Sequence, residues 1–165
     1  MHTDPIHNKV TASGIIAFDL LAYKPTIEVV GLDLKQLLYM EMIIKEKEFR
    51  IALAQLDFNS FREKAVAVYC SVDAIIPQWV YMVIADKLAD QGVYFKFSSV
   101  DALALELWEM QVQQAEVSPF QDQKVVVRAN PDIPDSLYIE ASKVLKPVVK
   151  SLLYGEIGMP KVIFK

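Results

Sequence analysis

Histidine is missing beyond position 7 of this 165-residue chain, cysteine occurs once, and glycine occurs five times. Each scarcity removes a class of chemistry. His2 and His7 both fall in a polar stretch, residues 1–10, that reads as a flexible tail. The body is therefore left without Ser-His-Asp or Cys-His catalysis and without an ordinary zinc site. Cys70 stands alone, which excludes an internal disulfide and a cysteine-rich metal site within one chain, and suits a reducing cytosol. The glycines, Gly14, Gly31, Gly92, Gly155 and Gly158, are too dispersed for a phosphate-cradling loop. The turn Cys70-Ser71-Val72-Asp73-Ala74 has none, which argues against a Rossmann or P-loop nucleotide site. A phosphatase-type or rhodanese-type loop needs an arginine about six residues after its thiol. Ile76 stands there.

Long apolar runs are also missing. The longest uncharged one, Ala74 to Ala85, has 12 residues and includes Pro77 and Gln78. A membrane-spanning helix needs about 20, so this run reads as a buried core helix. The start, Met1-His2-Thr3-Asp4-Pro5, has neither the basic nor the apolar stretch of a secretory signal. A cytoplasmic protein is the expectation. The formal charge of −4 is unevenly spread: residues 71–123 carry two basic and eight acidic side chains, and 124–165 carry seven and four. No basic face covers the whole domain, so nucleic acid is not the expected partner.

What is abundant is apolar residue, 53% of the chain, with a mean hydropathy of +0.25. The length fits a single domain over 1–165. Its apolar excess points to a many-sided buried helix and to self-association, with a homodimer expected. Gly14 to Phe18 reads as a short strand. Leu34, Leu37 and Leu38 follow Asp33 at helical spacing, with Asp33 as N-cap, and a second helical pattern runs from about Glu46 to Leu56. From residue 65 strand and helix alternate. Ala65 to Cys70, Val93 to Phe97 and Lys124 to Arg128 read as strands, the first without alternation, as for a strand covered on both faces. Helices follow each, opened by Pro77, by the capping-box-like Ser98-Ser99-Val100-Asp101, and by the turn Asn130-Pro131-Asp132-Ile133-Pro134. Pro147 is expected to kink the last helix against the carbonyl of Lys143, Gly155 to end it, and Lys161 to Phe164 to form a final strand. The fold class is α/β: a largely parallel sheet from successive strand–helix units, helices on both faces, after an N-terminal helical and short-strand segment.

Ligands of parallel α/β sheets bind beyond the carboxyl ends of the strands. That rule gathers Cys70, Ser71 and Asp73 with Ser98 and Ser99, and with Asn130 and Asp132. Facing the helix start near Pro77, the Cys70 thiol would be acidified, and Asp73 would take the second position of a monothiol relative of C-x-x-C. Cysteine is equally a frequent core residue, and Cys70 ends an apolar strand. Asp73 and Asp132 read first as helix caps and second as an acid/base pair. Trp79 and Tyr81 serve the core. Lys143, Lys146 and Lys150 share a helix face, either solvated or meeting an acidic partner. The motifs imply no cofactor and no metal.

Three stretches carry a resemblance. Asn8-Lys9-Val10, Ser13-Gly14-Ile15 and Asp19-Leu20 form the first; Tyr69-Cys70-Ser71-Val72-Asp73-Ala74-Ile75-Ile76-Pro77-Gln78-Trp79-Val80-Tyr81-Met82 is the second; Leu145-Lys146-Pro147-Val148-Val149-Lys150-Ser151-Leu152-Leu153-Tyr154-Gly155-Glu156 is the third. Together they resemble the bacterial domain-of-unknown-function 2480 family over nearly the whole chain. The resemblance implies an α/β protein of unestablished activity, with iron–sulfur assembly components as neighbours and partners. It also implies two further cysteines, where this chain has Ala129-Asn130 and Ile157-Gly158. The leading expectation is a non-catalytic accessory or scaffold protein linked to iron–sulfur or sulfur handling. The alternatives are a sulfur carrier or enzyme using Cys70 as nucleophile, and a small-anion-binding module with Ser98, Ser99 and Asn130 as donors.

Overall fold

A strand that is apolar on both faces has to find backbone partners on both edges. Two segments of this chain meet that condition, and each is the centre of its own sheet. The computed structural model describes residues 13–165. The expected tail, residues 1–10 with His2 and His7, lies outside them. The strands are β1 (Ile15–Phe18), β2 (Glu28–Asp33), β3 (Lys64–Tyr69), β4 (Tyr94–Phe97), β5 (Lys124–Val127), β6 (Ser151–Tyr154) and β7 (Lys161–Phe164). The helices are α1 (Glu46–Gln55), α2 (Gln78–Ala89), α3 (Val100–Gln113) and α4 (Asp135–Leu145). The α/β class and the mostly parallel pairing are as expected. The strands do not join one sheet, however. They divide into a three-stranded sheet, β2-β3-β4, and a four-stranded sheet, β1-β5-β6-β7. The chain accordingly groups into two compact units, Thr26–Ala104 and the residues on either side of it.

In the unit Thr26–Ala104, β3 lies parallel between β2 and β4. Val66 and Val68 share one face and pack with Leu32, with Phe49 and Leu53 of α1, and with Val80, Ile84 and Leu88 of α2. The spacing of these α2 residues is the i, i+4, i+8 row that one helix face requires. Trp79 meets Phe49 edge to face, with ring centroids 5.4 Å apart. Gly92, at φ 67°, turns the chain from α2 into β4, a conformation open to glycine at no steric cost.

In the second unit, β5 lies parallel between β1 and β6, and β7 adds antiparallel to the far side of β6. Val125, Val127 and Leu152 pack with Phe18, with Trp108 and Val112 of α3, and with Leu137, Ala141 and Leu145 of α4. Burying each of these valine and leucine side chains contributes about 2 kcal/mol. The Trp108 indole N–H donates to the carbonyl of Leu20 at 3.0 Å, so the polar edge of the ring is satisfied inside the core.

Four expectations change. Leu34–Leu37 is a short 3-10 turn rather than a helix, still capped by Asp33. Before it, Glu28–Asp33 is a strand, β2, where the sequence reading placed nothing. Pro147 kinks no helix, because α4 ends at Leu145 and the amides of Val148 and Val149 both return to the Leu145 carbonyl, at 2.9 and 3.0 Å. The chain then extends into β6, so Gly155 ends a strand, at φ 112°. No helix among the described residues is long and apolar enough to cross a membrane.

Replacing Trp108 with Phe keeps most of the apolar contact and leaves the buried Leu20 carbonyl without its donor. A loss of about 1–3 kcal/mol in chemical denaturation is expected. An unchanged midpoint would show that water reaches that carbonyl.

Candidate functional site

The residues singled out at strand ends fall into two groups, one in each unit. In Thr26–Ala104 the carboxyl ends of β2, β3 and β4 carry Asp33, then Cys70 and Ser71, then Ser98 and Ser99. Asn130 and Asp132 follow β5 and belong to the other unit, so the expected single cluster is divided. The division follows from strand partners: β5 pairs with β1 and β6, and β3 with β2 and β4.

Asp33 organises the first group. One carboxylate oxygen accepts from the amide of Lys35 at 3.0 Å and from that of Ser71 at 3.1 Å. The other accepts from the Ser71 hydroxyl at 2.5 Å. This one side chain caps the turn after β2 and joins it to the end of β3. Burial pushes the Asp33 carboxyl up. The Ser71 hydroxyl bond, the two amides and the Lys35 charge outweigh that and hold it below its ordinary value. Cys70 is half-buried beside the core that holds Phe49, and its thiol donates to the carbonyl of Val72 at 3.3 Å. The sulfur is thus engaged with its own turn and partly covered by the core.

The serines after β4 are also engaged locally. The Ser99 hydroxyl accepts from the amide of Ala102 at 3.2 Å, as the capping reading requires, and the Ser98 hydroxyl donates to the Ser99 carbonyl at 3.1 Å. Asp73 is exposed. Neither Asp73 nor Asp132 caps a helix, because Pro77 and Pro134 occupy the N-cap positions of α2 and α4 and make no side-chain cap. The amide of Asp132 instead donates to Asn130 Oδ1 at 2.8 Å, a local turn that fixes the loop after β5.

Around that loop the second unit forms a cleft of about 310 Å³, lined by Asp19, Leu21, Arg128, Ala129, Asn130 and Glu156. These residues follow β1, β5 and β6 directly, the place the strand-end rule indicates. Asp19, Arg128 and Glu156 were missed as site residues. Their signal was a charged residue just after a strand, hidden for Glu156 because β6 was read as helix. Asp19 accepts from the Leu21 amide at 3.0 Å and pairs with Arg128 at 3.8 Å. The Tyr138 hydroxyl accepts from the Asn130 amide at 3.0 Å and reaches the carbonyls of Arg128 and Asn130, each at 3.3 Å. It thereby fixes the loop from the side of α4. The regions in which the resemblance implies cysteines border this cleft: Ala129 lines it, and Ile157 follows Glu156. Among the described residues no group of three or more His, Cys, Asp or Glu is placed to hold a metal ion.

Asp33→Asn should destabilise the protein by about 1–2 kcal/mol at neutral pH. Because the folded carboxyl is held low, its contribution is present above its unfolded value and fades as pH falls through the folded one. Wild type and variant should therefore converge in stability as pH is lowered through and below the ordinary carboxylate range. A constant gap across that range would show that the charge is not what the hydrogen bonds stabilise. Alkylation of Cys70 by iodoacetamide should be slower in the native protein than in the denatured one; a faster native reaction would identify an activated thiol.

No curated protein and no solved structure matches this chain. A family model described as "Protein of unknown function (DUF2480)" matches residues 4–165, essentially the whole sequence, and the chain belongs to that family.

Proposed function

We propose that this chain is a non-catalytic accessory protein that works through protein contacts, and that it pairs with a second copy of itself through an apolar loop surface in Thr26–Ala104. The observation that carries this reading is a contiguous group of exposed apolar side chains. The amide of Ile75 donates to the Met42 carbonyl at 3.2 Å, and Ile43 forms a parallel bridge with Ile75. Met40, Met42, Ile43 and Ile75 are nevertheless 73%, 58%, 41% and 78% exposed. Apolar groups held together in the open mark an association surface, and methionine adapts to the shape of a partner.

The backbone adds support. Tyr39 and Ile43 close a tight loop with paired hydrogen bonds of 2.8 and 3.3 Å, and both Met40 and Glu41 adopt positive φ, 50° and 58°. Left-handed conformations in residues other than glycine are costly, and such strain is concentrated where a loop has work to do. Both charge signs frame the surface: Lys35 pairs with Glu41 at 3.3 Å, and Lys45 stands over the Tyr39 ring at 3.4 Å. A rim of mixed sign can match its own copy about a two-fold axis. Four apolar side chains inside such a rim suit a small, concentration-dependent interface. An iron–sulfur assembly component as a further partner belongs to the same proposal, and its support is the resemblance of the sequence rather than this geometry.

Light scattering over a concentration series is the test. The chain should move toward twice the monomer mass as concentration rises, and Ile75→Glu or Met42→Glu should hold it at monomer mass with an unchanged circular-dichroism spectrum. A monomer at every concentration, or a dimer indifferent to both substitutions, would overturn the reading.

A further inference from the structure

At the opposite end of the four-stranded sheet from the Arg128 cleft, where β5 and β6 begin, lies a cavity of about 410 Å³. Strand register fixes what faces it. Ile15, Lys124 and Ser151 stand side by side on β1, β5 and β6, so their side chains leave the same face of the sheet. Leu153, two residues beyond Ser151, and its partner Val162 continue that face. All five line the cavity, together with Lys150 and Lys165. Lys165 follows Phe164, which pairs with Leu152, and so returns to the Ser151 end.

Two features describe the lining of this cavity. Ser151 is only 7% exposed, yet among the described residues its hydroxyl has no hydrogen-bond partner. The buried side-chain polar atom without a partner among the described residues is Ser136 Oγ, so the Ser151 hydroxyl keeps its small exposure and is open to the cavity as a donor. The three lysines, moreover, have no carboxylate partner among the described residues, and no Asp or Glu there lines the cavity, although the chain is acidic overall.

From this arrangement we infer that the cavity binds a small organic anion with an apolar body. The lysine ammonium groups and the Ser151 hydroxyl hold the head group, a carboxylate or a phosphate, through charge-assisted hydrogen bonds. Leu153 and Val162, one strand repeat or about 7 Å further along, take the body. The volume suits a ligand of that size.

Calorimetric titration of the full chain with octanoate, octyl phosphate, 1-octanol and inorganic phosphate tests this. At least one of the two octyl anions should bind saturably at one per chain, roughly tenfold more tightly than either 1-octanol or inorganic phosphate. The anion that binds better identifies the head group. Lys124→Gln combined with Lys150→Gln, both at exposed positions, should weaken that binding roughly tenfold, and Ser151→Ala a few-fold, with melting temperatures followed in parallel. Should the double variant fold poorly, Lys150→Gln alone serves, with a several-fold loss expected. The inference is overturned if neither octyl anion binds saturably, if 1-octanol binds as well as the anions, or if the lysine variants retain full affinity.

Discussion

Everything in this structure depends on two central strands whose backbone groups are satisfied only by segments distant in sequence. Val66 and Val125 are both fully buried, and at such positions a missing edge partner would leave amides and carbonyls without water or a bond. β3 is flanked by β2 and β4, and β5 by β1 and β6. In each unit the helices that contribute to the core, α1 with α2 and α3 with α4, pack with the same set of inward strand residues. The placement of every candidate site residue follows from that pairing, since Asp33, Ser71, Asn130 and Glu156 are each held at a strand end.

The strand-end chemistry is largely consumed by the fold itself. Ser71 is bonded to Asp33, Ser99 caps α3, Asn130 closes its own turn, and Cys70 donates to a neighbouring carbonyl. A group whose hydrogen-bonding capacity is engaged locally has to break that bond before it can serve a substrate, which raises the cost of using it. Apolar side chains kept in water and a hydroxyl left open to a cavity are the opposite case. Each lowers its free energy by meeting something else, and they occur on the Met42–Ile75 surface and at Ser151.

Sequence periodicity revealed β3, α2, β4, α3 and β5 because each is bounded by its own local signal: an apolar β-branched run, a proline, a positive-φ glycine, a serine cap. It missed β2 and β6. Val29-Val30-Gly31 carries the β-branched signal but is short and interrupted, and Ser151-Leu152-Leu153-Tyr154 reads equally as helix or strand until its length is known. Nor does local pattern say which strands pair, so one sheet was expected where two exist. The same limit divided the expected site, because Cys70 and Asn130 each end a strand, but of different sheets. The Ser151 cavity was invisible for a related reason: Lys124, Ser151 and Leu153 become neighbours only through register.

The insertion of Thr26–Ala104 within the residues that build the other unit has a consequence for the order in which structure can arise. A ribosome delivers the chain from its amino end, so β2, β3 and β4 all emerge before any of β5. The three-stranded sheet can be complete while β1, already made, still lacks the strand it pairs with. During that interval β1 presents an unsatisfied edge with Ile15 and Ile16 on it, and it is protected only once β5 arrives. The unit assembled last therefore depends on its oldest segment waiting unpaired, which makes β1 the part of this protein most in need of shielding during synthesis.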